Sequence, residues 1–323
     1  MNTGLKITAF AAAVAATFGT AYGVGKGVGP VTTTEERSVG HGGHGEKKER
    51  DATGGGHRRH EAASAAGGLQ VSEGGYTLAL ETPRVAAGGR TKLRFSIQDE
   101  HGRKVTAYER EHGKELHFIV ASRDLTVYRH LHPTRAADGT WSTSADLPAA
   151  GAYRAFADFK PAKKGAGALT LGADLAVSGT YAPAGLPAPA ATAEVDGYEV
   201  ALSGGLRPGK AGELRLNVEK NGEPVTDLQP YLGAYGHLVA LRSGDLAYLH
   251  VHPNGEPGDS ATEPGPEISF TATAPSSGTY RLFLDFQHDG KVRTAAFTVE
   301  AGRSPAAGPA ADEHQEEKPG HAH

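Results

Sequence analysis

Residues 115–133 read ELHFIVASRDLTVYRHLHP, and residues 235–253 read YGHLVALRSGDLAYLHVHP. In each block a lone histidine, His117 or His237, stands 13 positions before the first histidine of an HxHP, His130/His132 or His250/His252. The blocks align without gaps at a shift of 120. Each splits into strand, tight turn and strand, because short runs rich in β-branched and aromatic residues flank a polar turn. With Ser243-Gly244 as the two loop residues, Arg242 pairs with Asp245 and His237 falls opposite His250; glycine second in the loop suits a primed hairpin turn. The same register in the first copy uses Arg123-Asp124 and places His117 opposite His130, since Asp tolerates positive φ. The reading is a β-hairpin, made twice.

The repeat extends outward from the hairpins. YTLAL (76–80) answers YEVAL (198–202), and GRKVT (102–106) answers GEPVT (222–226). GAYRAFADF (151–159) answers GTYRLFLDF (278–286) at a shift of 127, and the seven extra residues fall in the Gly/Pro-rich loop 254–265. A repeat that changes length only in a loop implies two copies of one domain. The copies are placed at 69–182 and 194–301, joined by a Pro/Ala linker at 183–193. Turn pairs such as Asp138-Gly139 and Asn221-Gly222 separate about seven short strands per copy. The predicted class is all-β, two tandem immunoglobulin-like (Greek-key) β-sandwiches.

The ends read differently. Lys6 precedes the apolar run ITAFAAAVAATFGTAYGV, so residues 1–24 are expected to be a signal peptide or a membrane anchor. Residues 25–68 and 302–323 hold few large apolar side chains and are expected to be disordered, His-containing segments. His41, His44, His57, His60, His321 and His323 there are candidate low-affinity metal captors.

Composition narrows the chemistry. A formal charge of −4 gives no electrostatic case for nucleic acid. Cysteine is absent and the only methionine is Met1, which excludes thiolate sites, disulfides and an interior thioether copper(I) site. A bound metal must therefore use histidine, carboxylate, backbone or water. Residues two apart in a strand share a face, and directly opposed residues lie within about 4.5–5.5 Å. His117, His130, His132 in one copy and His237, His250, His252 in the other are thus the candidate metal ligands, for copper(II) or zinc. Asp158 and Asp285 sit inside apolar strands, where each is a possible ligand or an acceptor for the outer ring proton of a ligand histidine. His288 matches Pro161, and His112 matches Leu232, so neither belongs to the repeated set.

An enzyme reading rests on His250, His252 and Glu256, which resemble the first metal motif of cupins. It is disfavoured because Ala136 stands where the first copy would need its acid. No catalytic residues are assigned, and the chain is expected not to be an enzyme.

LHFIVASRDLTVYRHLHP, GHLVALRSGDLAYLHVHP and the ending YRLFLDFQHDGKVRTAAF resemble exported tandem β-sandwich proteins of high-GC Gram-positive bacteria, some described as heavy-metal-binding. The layout is more distantly similar to CopC-like and YtkA-like sandwiches. That resemblance implies an envelope location and points to copper or zinc. With residues 1–24 it sets the expectation of an extracytoplasmic protein, secreted or membrane-anchored, whose partners are the metal ion and another envelope protein. The expected function is divalent-metal binding, buffering or delivery through three-His sites. The alternative is a cell-envelope interaction or scaffold module whose histidines are structural.

Overall fold

The computed structural model describes residues 66–302 apart from His250 and the side chain of His252. The expected signal or anchor and the tail histidines lie outside the described residues. Among the described residues there is no helix, and so none long and apolar enough to cross a membrane.

The first copy contains β1 (Ser72–Glu73), β2 (Tyr76–Leu80), β3 (Arg84–Ala86), β4 (Arg90–Gln98), β5 (Tyr108–Glu109) and β6 (Leu116–Ser122). It continues with β7 (Tyr128–Leu131), β8 (Thr134–Arg135), β9 (Trp141–Asp146), β10 (Gly151–Pro161) and β11 (Leu169–Ser178). One sheet runs β1-β2-β4-β9-β8; the other runs β3-β11-β10-β6-β7, with β5 added on β10. The second copy contains β12 (Thr192–Val195), β13 (Tyr198–Gly204), β14 (Ala211–Lys220), β15 (Glu223–Pro224) and β16 (Gly236–Arg242). After these come β17 (Tyr248–Leu249), β18 (His252–Pro253), β19 (Glu267–Thr273), β20 (Gly278–His288) and β21 (Lys291–Ala301). Its sheets run β12-β13-β14-β19-β18, with β15 on β14, and β17-β16-β20-β21. The chain is two immunoglobulin-like β-sandwiches.

Each sandwich closes on its own apolar core. Leu116, Phe118 and Val120 of β6 enter the first, where Phe118 stacks on Phe95 with ring centres 4.1 Å apart. Leu238 and Ala240 of β16 enter the second. Tyr153 and Tyr280 each donate their hydroxyl to the carbonyl four residues back, Ala149 and Ser276, at 2.7 and 3.0 Å. This is the tyrosine corner of immunoglobulin-type sandwiches. It explains why the GxYR motif recurs.

A third core joins the two. Ile119 and Ala121 on the other face of β6, and Tyr128 and Phe156, pack with Val239, Leu241, Tyr248 and Phe283 of the second copy. Tyr128 stacks on Phe283 at 4.1 Å, and Phe156 meets Tyr248 at 5.7 Å, so the same pair forms twice with the copies exchanged. β6 and β16 are therefore covered on both faces, which is why FIVA and LVAL run apolar without alternation. Backbone enters the seam as well: Tyr248 N–H donates to the Gly67 carbonyl, and a Cβ on Gly68 would lie 2.5 Å from the Phe156 ring.

The hairpins keep the expected faces but not the expected register. Ile119, not His117, pairs with His130, and Ala240 pairs with Leu249. Each loop is four residues long, closed by Ser122 N–H to the Val127 carbonyl and by Arg242 N–H to the Ala247 carbonyl. Leu125 and Leu246 are the cause. Both are buried in the third core, both adopt positive φ (58° and 61°), and drawing them inward lengthens the turn by two residues. Arg242 and Asp245 do pair, but as an ion pair across that loop rather than as strand partners. A shift of two leaves every side chain on its original face.

Candidate metal centre

His117 on β6 shares the seam-facing side of that strand with Ile119 and Ala121. His130 on β7, and His132 just beyond it, share a face with Tyr128. Their six ring nitrogens include one from each residue that lie within 4.8 Å of one another. The ring centres are 5.3 Å (His117–His130), 5.4 Å (His117–His132) and 4.8 Å (His130–His132) apart. Two imidazoles on one tetrahedral ion, with metal–nitrogen bonds of about 2.0–2.1 Å, hold their ring centres about 5.2 Å apart. The triad fits one small cation.

Hydrogen bonding fixes which nitrogens face inward. His117 Nε2 lies 3.3 Å from the Glu111 carbonyl, and His130 Nδ1 lies 2.8 Å from Asp285 Oδ2. Both oxygens only accept, so a ring that carries a single proton commits it outward. The inner nitrogens, His117 Nδ1 and His130 Nε2, then confront each other 3.0 Å apart with two lone pairs and no proton between them. Satisfying that contact requires an extra proton, the loss of an outer bond, or a cation. Burial opposes the extra proton on His117: desolvation, then repulsion from His130, takes its pKa down to about 2. His132 is lowered to about 3, again chiefly by desolvation. Its Nδ1 sits 3.4 Å from the Tyr231 hydroxyl, and its Nε2 is buried without a hydrogen-bond partner.

The other sandwich supplies part of the surrounding hydrogen bonding, through Asp285 and Tyr231. Asp285 pairs with His237 across β16 and β20, yet its carboxylate serves His130 and accepts from Tyr128 and Thr294. Asp158, paired with His117 on the neighbouring strand, accepts from Thr170 at 3.1 Å and is hydrogen-bonded by Tyr248. Each aspartate thus reaches a tyrosine of the opposite copy. The sequence points to a proton-accepting role for these carboxylates; the exchange across the seam is not written in it.

His237 lies against the same cluster, 6.1–6.2 Å by ring centres from His130 and His117, and donates Nε2–H to the Tyr231 carbonyl at 2.8 Å. Desolvation holds its pKa down to about 4, against the raising effect of that bond. The second copy brings His237, the one ring of its trio that the structure describes, against the first triad. His250 lies outside the described residues, as does the His252 side chain. Glu256 is exposed in a loop organised by Asp259, whose carboxylate accepts its backbone N–H. His288 is engaged elsewhere, 2.7 Å from the Tyr198 hydroxyl and 3.0 Å from Asp227.

Sequence reasoning passed over His112. It occupies a two-residue turn between Glu111 and Lys114 with φ of 49°, followed by Gly113 at 73°, and its ring centre is 5.5 Å from His237. Leu232 and Gly233 make the same turn in the second copy, at 54° and 77°. This turn also supplies the carbonyls of Glu111 and Tyr231 that hold His117 and His237. An EHGK stretch six residues before a candidate ligand is the signal that was available.

A family model described as Domain of unknown function (DUF8832) matches residues 70–170 and 193–303. The chain belongs to that family. The two matched stretches fall one in each sandwich. No curated protein matches the chain. Among solved structures it is similar to the Escherichia coli adhesin FdeC, at 15% identity over 72% of this chain and 65% of that one, with a TM-score of 0.22. It is also similar to the Yersinia pseudotuberculosis adhesin InvE (12%, 71% and 60%, 0.21) and to a Salmonella alpha-2-macroglobulin (12%, 74% and 15%, 0.25). The chain spans less than two thirds of the length of each. At these TM-scores nothing about function follows.

Proposed function

We propose that this protein binds a divalent transition-metal ion, copper(II) or zinc, through His117, His130 and His132. The observation that carries the reading is the 3.0 Å approach of His117 Nδ1 to His130 Nε2 while both outer nitrogens face obligate acceptors. Nitrogen donors without a carboxylate in the ligand set disfavour calcium and magnesium, which take oxygen ligands. Copper(II) leads because divalent affinities for such donors peak there, and zinc follows. Asp285 would orient His130 and strengthen its donor nitrogen. The cellular reading is an extracytoplasmic protein, secreted or anchored through residues 1–24, that buffers or delivers the ion. The histidines of its terminal segments would then raise local capture.

The test is calorimetric titration of the full chain with copper(II) and with zinc, beside His117→Ala and His132→Ala. The tight event should vanish in both variants, leaving the weak uptake of the terminal histidines. A tight event of unchanged stoichiometry would instead favour the rival, a cell-envelope interaction module with structural histidines. One observation favours that rival: His117 and His237 make the same carbonyl bond in both copies, as a structural repeat would.

A further inference from the structure

Next to the triad lies a cleft of about 40 Å³ lined by His112, His117, His130, His237 and Asp158, together with apolar side chains and Tyr248. His117 and His130 line it and His132 does not, so the cleft lies on the side of the triad that faces His112 and His237. A cavity needs about 10–15 Å³ of probe-occupied volume to hold one water, so the cleft has room for an ion with a water or small anion beside it. His112 and His237 stand 5.5 Å apart by ring centres, close to the value of about 5.2 Å for two rings on one ion. Each is also 6.2 Å from His117. His237 spends its Nε2–H on the Tyr231 carbonyl, which leaves Nδ1 as its donor nitrogen. The two residues come from different sandwiches and are brought together only by the packing of the seam.

We propose that the junction takes two divalent cations, the second held in the cleft by His112 of the first sandwich and His237 of the second. This rests on the metal reading of the triad and extends it from a mononuclear site to a paired centre bridging both copies. Water or a small anion completes the coordination of the second ion, as in other two-metal centres where neighbouring ions share a cleft. The second position is not duplicated by the repeat, because Leu232 takes the place of His112 in the other copy. That asymmetry supplies a mild variant: Leu232 already occupies this turn at φ of 54°, so His112→Leu imports a side chain the backbone accepts.

The experiment is electron paramagnetic resonance on the full chain during stepwise loading with copper(II), compared with His112→Leu, His237→Asn and His117→Ala. The unaltered chain should give a mononuclear spectrum first, then a spin-coupled pair with a half-field transition as loading continues. His112→Leu and His237→Asn should keep the first signal and lose the coupled one. Copper on the terminal segments contributes uncoupled signal to every variant equally. A coupled signal that survives His112→Leu, or a chain that binds at the triad and never couples, overturns the paired centre while leaving the triad intact. If the unaltered chain gives the same spectra as His117→Ala throughout, the triad fails and the pair with it.

Discussion

His117 Nδ1 and His130 Nε2 meet because two different acceptors turn their rings. The Glu111 carbonyl is local, set by the turn that precedes β6, whereas the Asp285 carboxylate belongs to the other sandwich. Asp285 is the more telling residue to change, since the His130 and Asp285 side chains are only 6% and 3% exposed. Asp285→Asn should lower metal affinity roughly 10–100-fold, the usual cost of losing such an outer partner, as read by competition with a chromophoric chelator. Acid should act in two ways. His117, His132 and His237 are depressed from 6.5 to about 2, 3 and 4, mainly by desolvation, so they stay neutral in the folded protein well below pH 6. Proton competition at His117 and His132 is thus deferred, and affinity measured by isothermal titration should fall with acid less steeply than three free imidazoles would predict. The unfolded chain takes up protons below its ordinary value of 6.5, while the folded rings do not until about 4 or lower. The metal-free protein should therefore hold its full stability above pH 6.5 and lose it progressively as pH falls from there, seen as a declining urea midpoint.

At the level of strands, the period of two made much of the triad legible. His117, His130 and His132 could be assigned to one face of a hairpin from spacing alone, and a register error of two residues did not move them. What the spacing did not carry was the loop. Leu125 and Leu246 look like exposed turn residues until a second sandwich is present to bury them. The FIVA and LVAL runs did hold a clue, because a strand packed on one face only would alternate. No single sequence states which outer face meets which, so the exchange of Asp158 and Asp285 between copies was beyond reach. His112 was hidden for a related reason: lacking a repeat partner, it gained meaning only when its turn was set beside His237. Phe283→Ala tests the seam, since that ring stacks on Tyr128, which in turn donates to Asp285. It should cost about 3–5 kcal/mol in chemical denaturation. Metal affinity should drop as well, through the Tyr128–Asp285 contact that holds His130.

For the molecule as a whole, duplication built more than two similar modules. The copies pack through the sheets that carry the histidines, with paired aromatic contacts exchanged between them, and fully burying each large apolar side chain there contributes about 1.5–3 kcal/mol. His130 keeps its Asp285 partner, and His237 its place beside the triad, only while that seam is closed. The most direct measurement is an anomalous difference map from crystals of the full chain loaded with copper(II) or zinc, collected on both sides of the metal edge. The account predicts a peak about 2.0–2.1 Å from His117 Nδ1 and His130 Nε2, with His132 as the third ligand. Peaks confined to other histidines, with these three rings unmoved and bare, would contradict it.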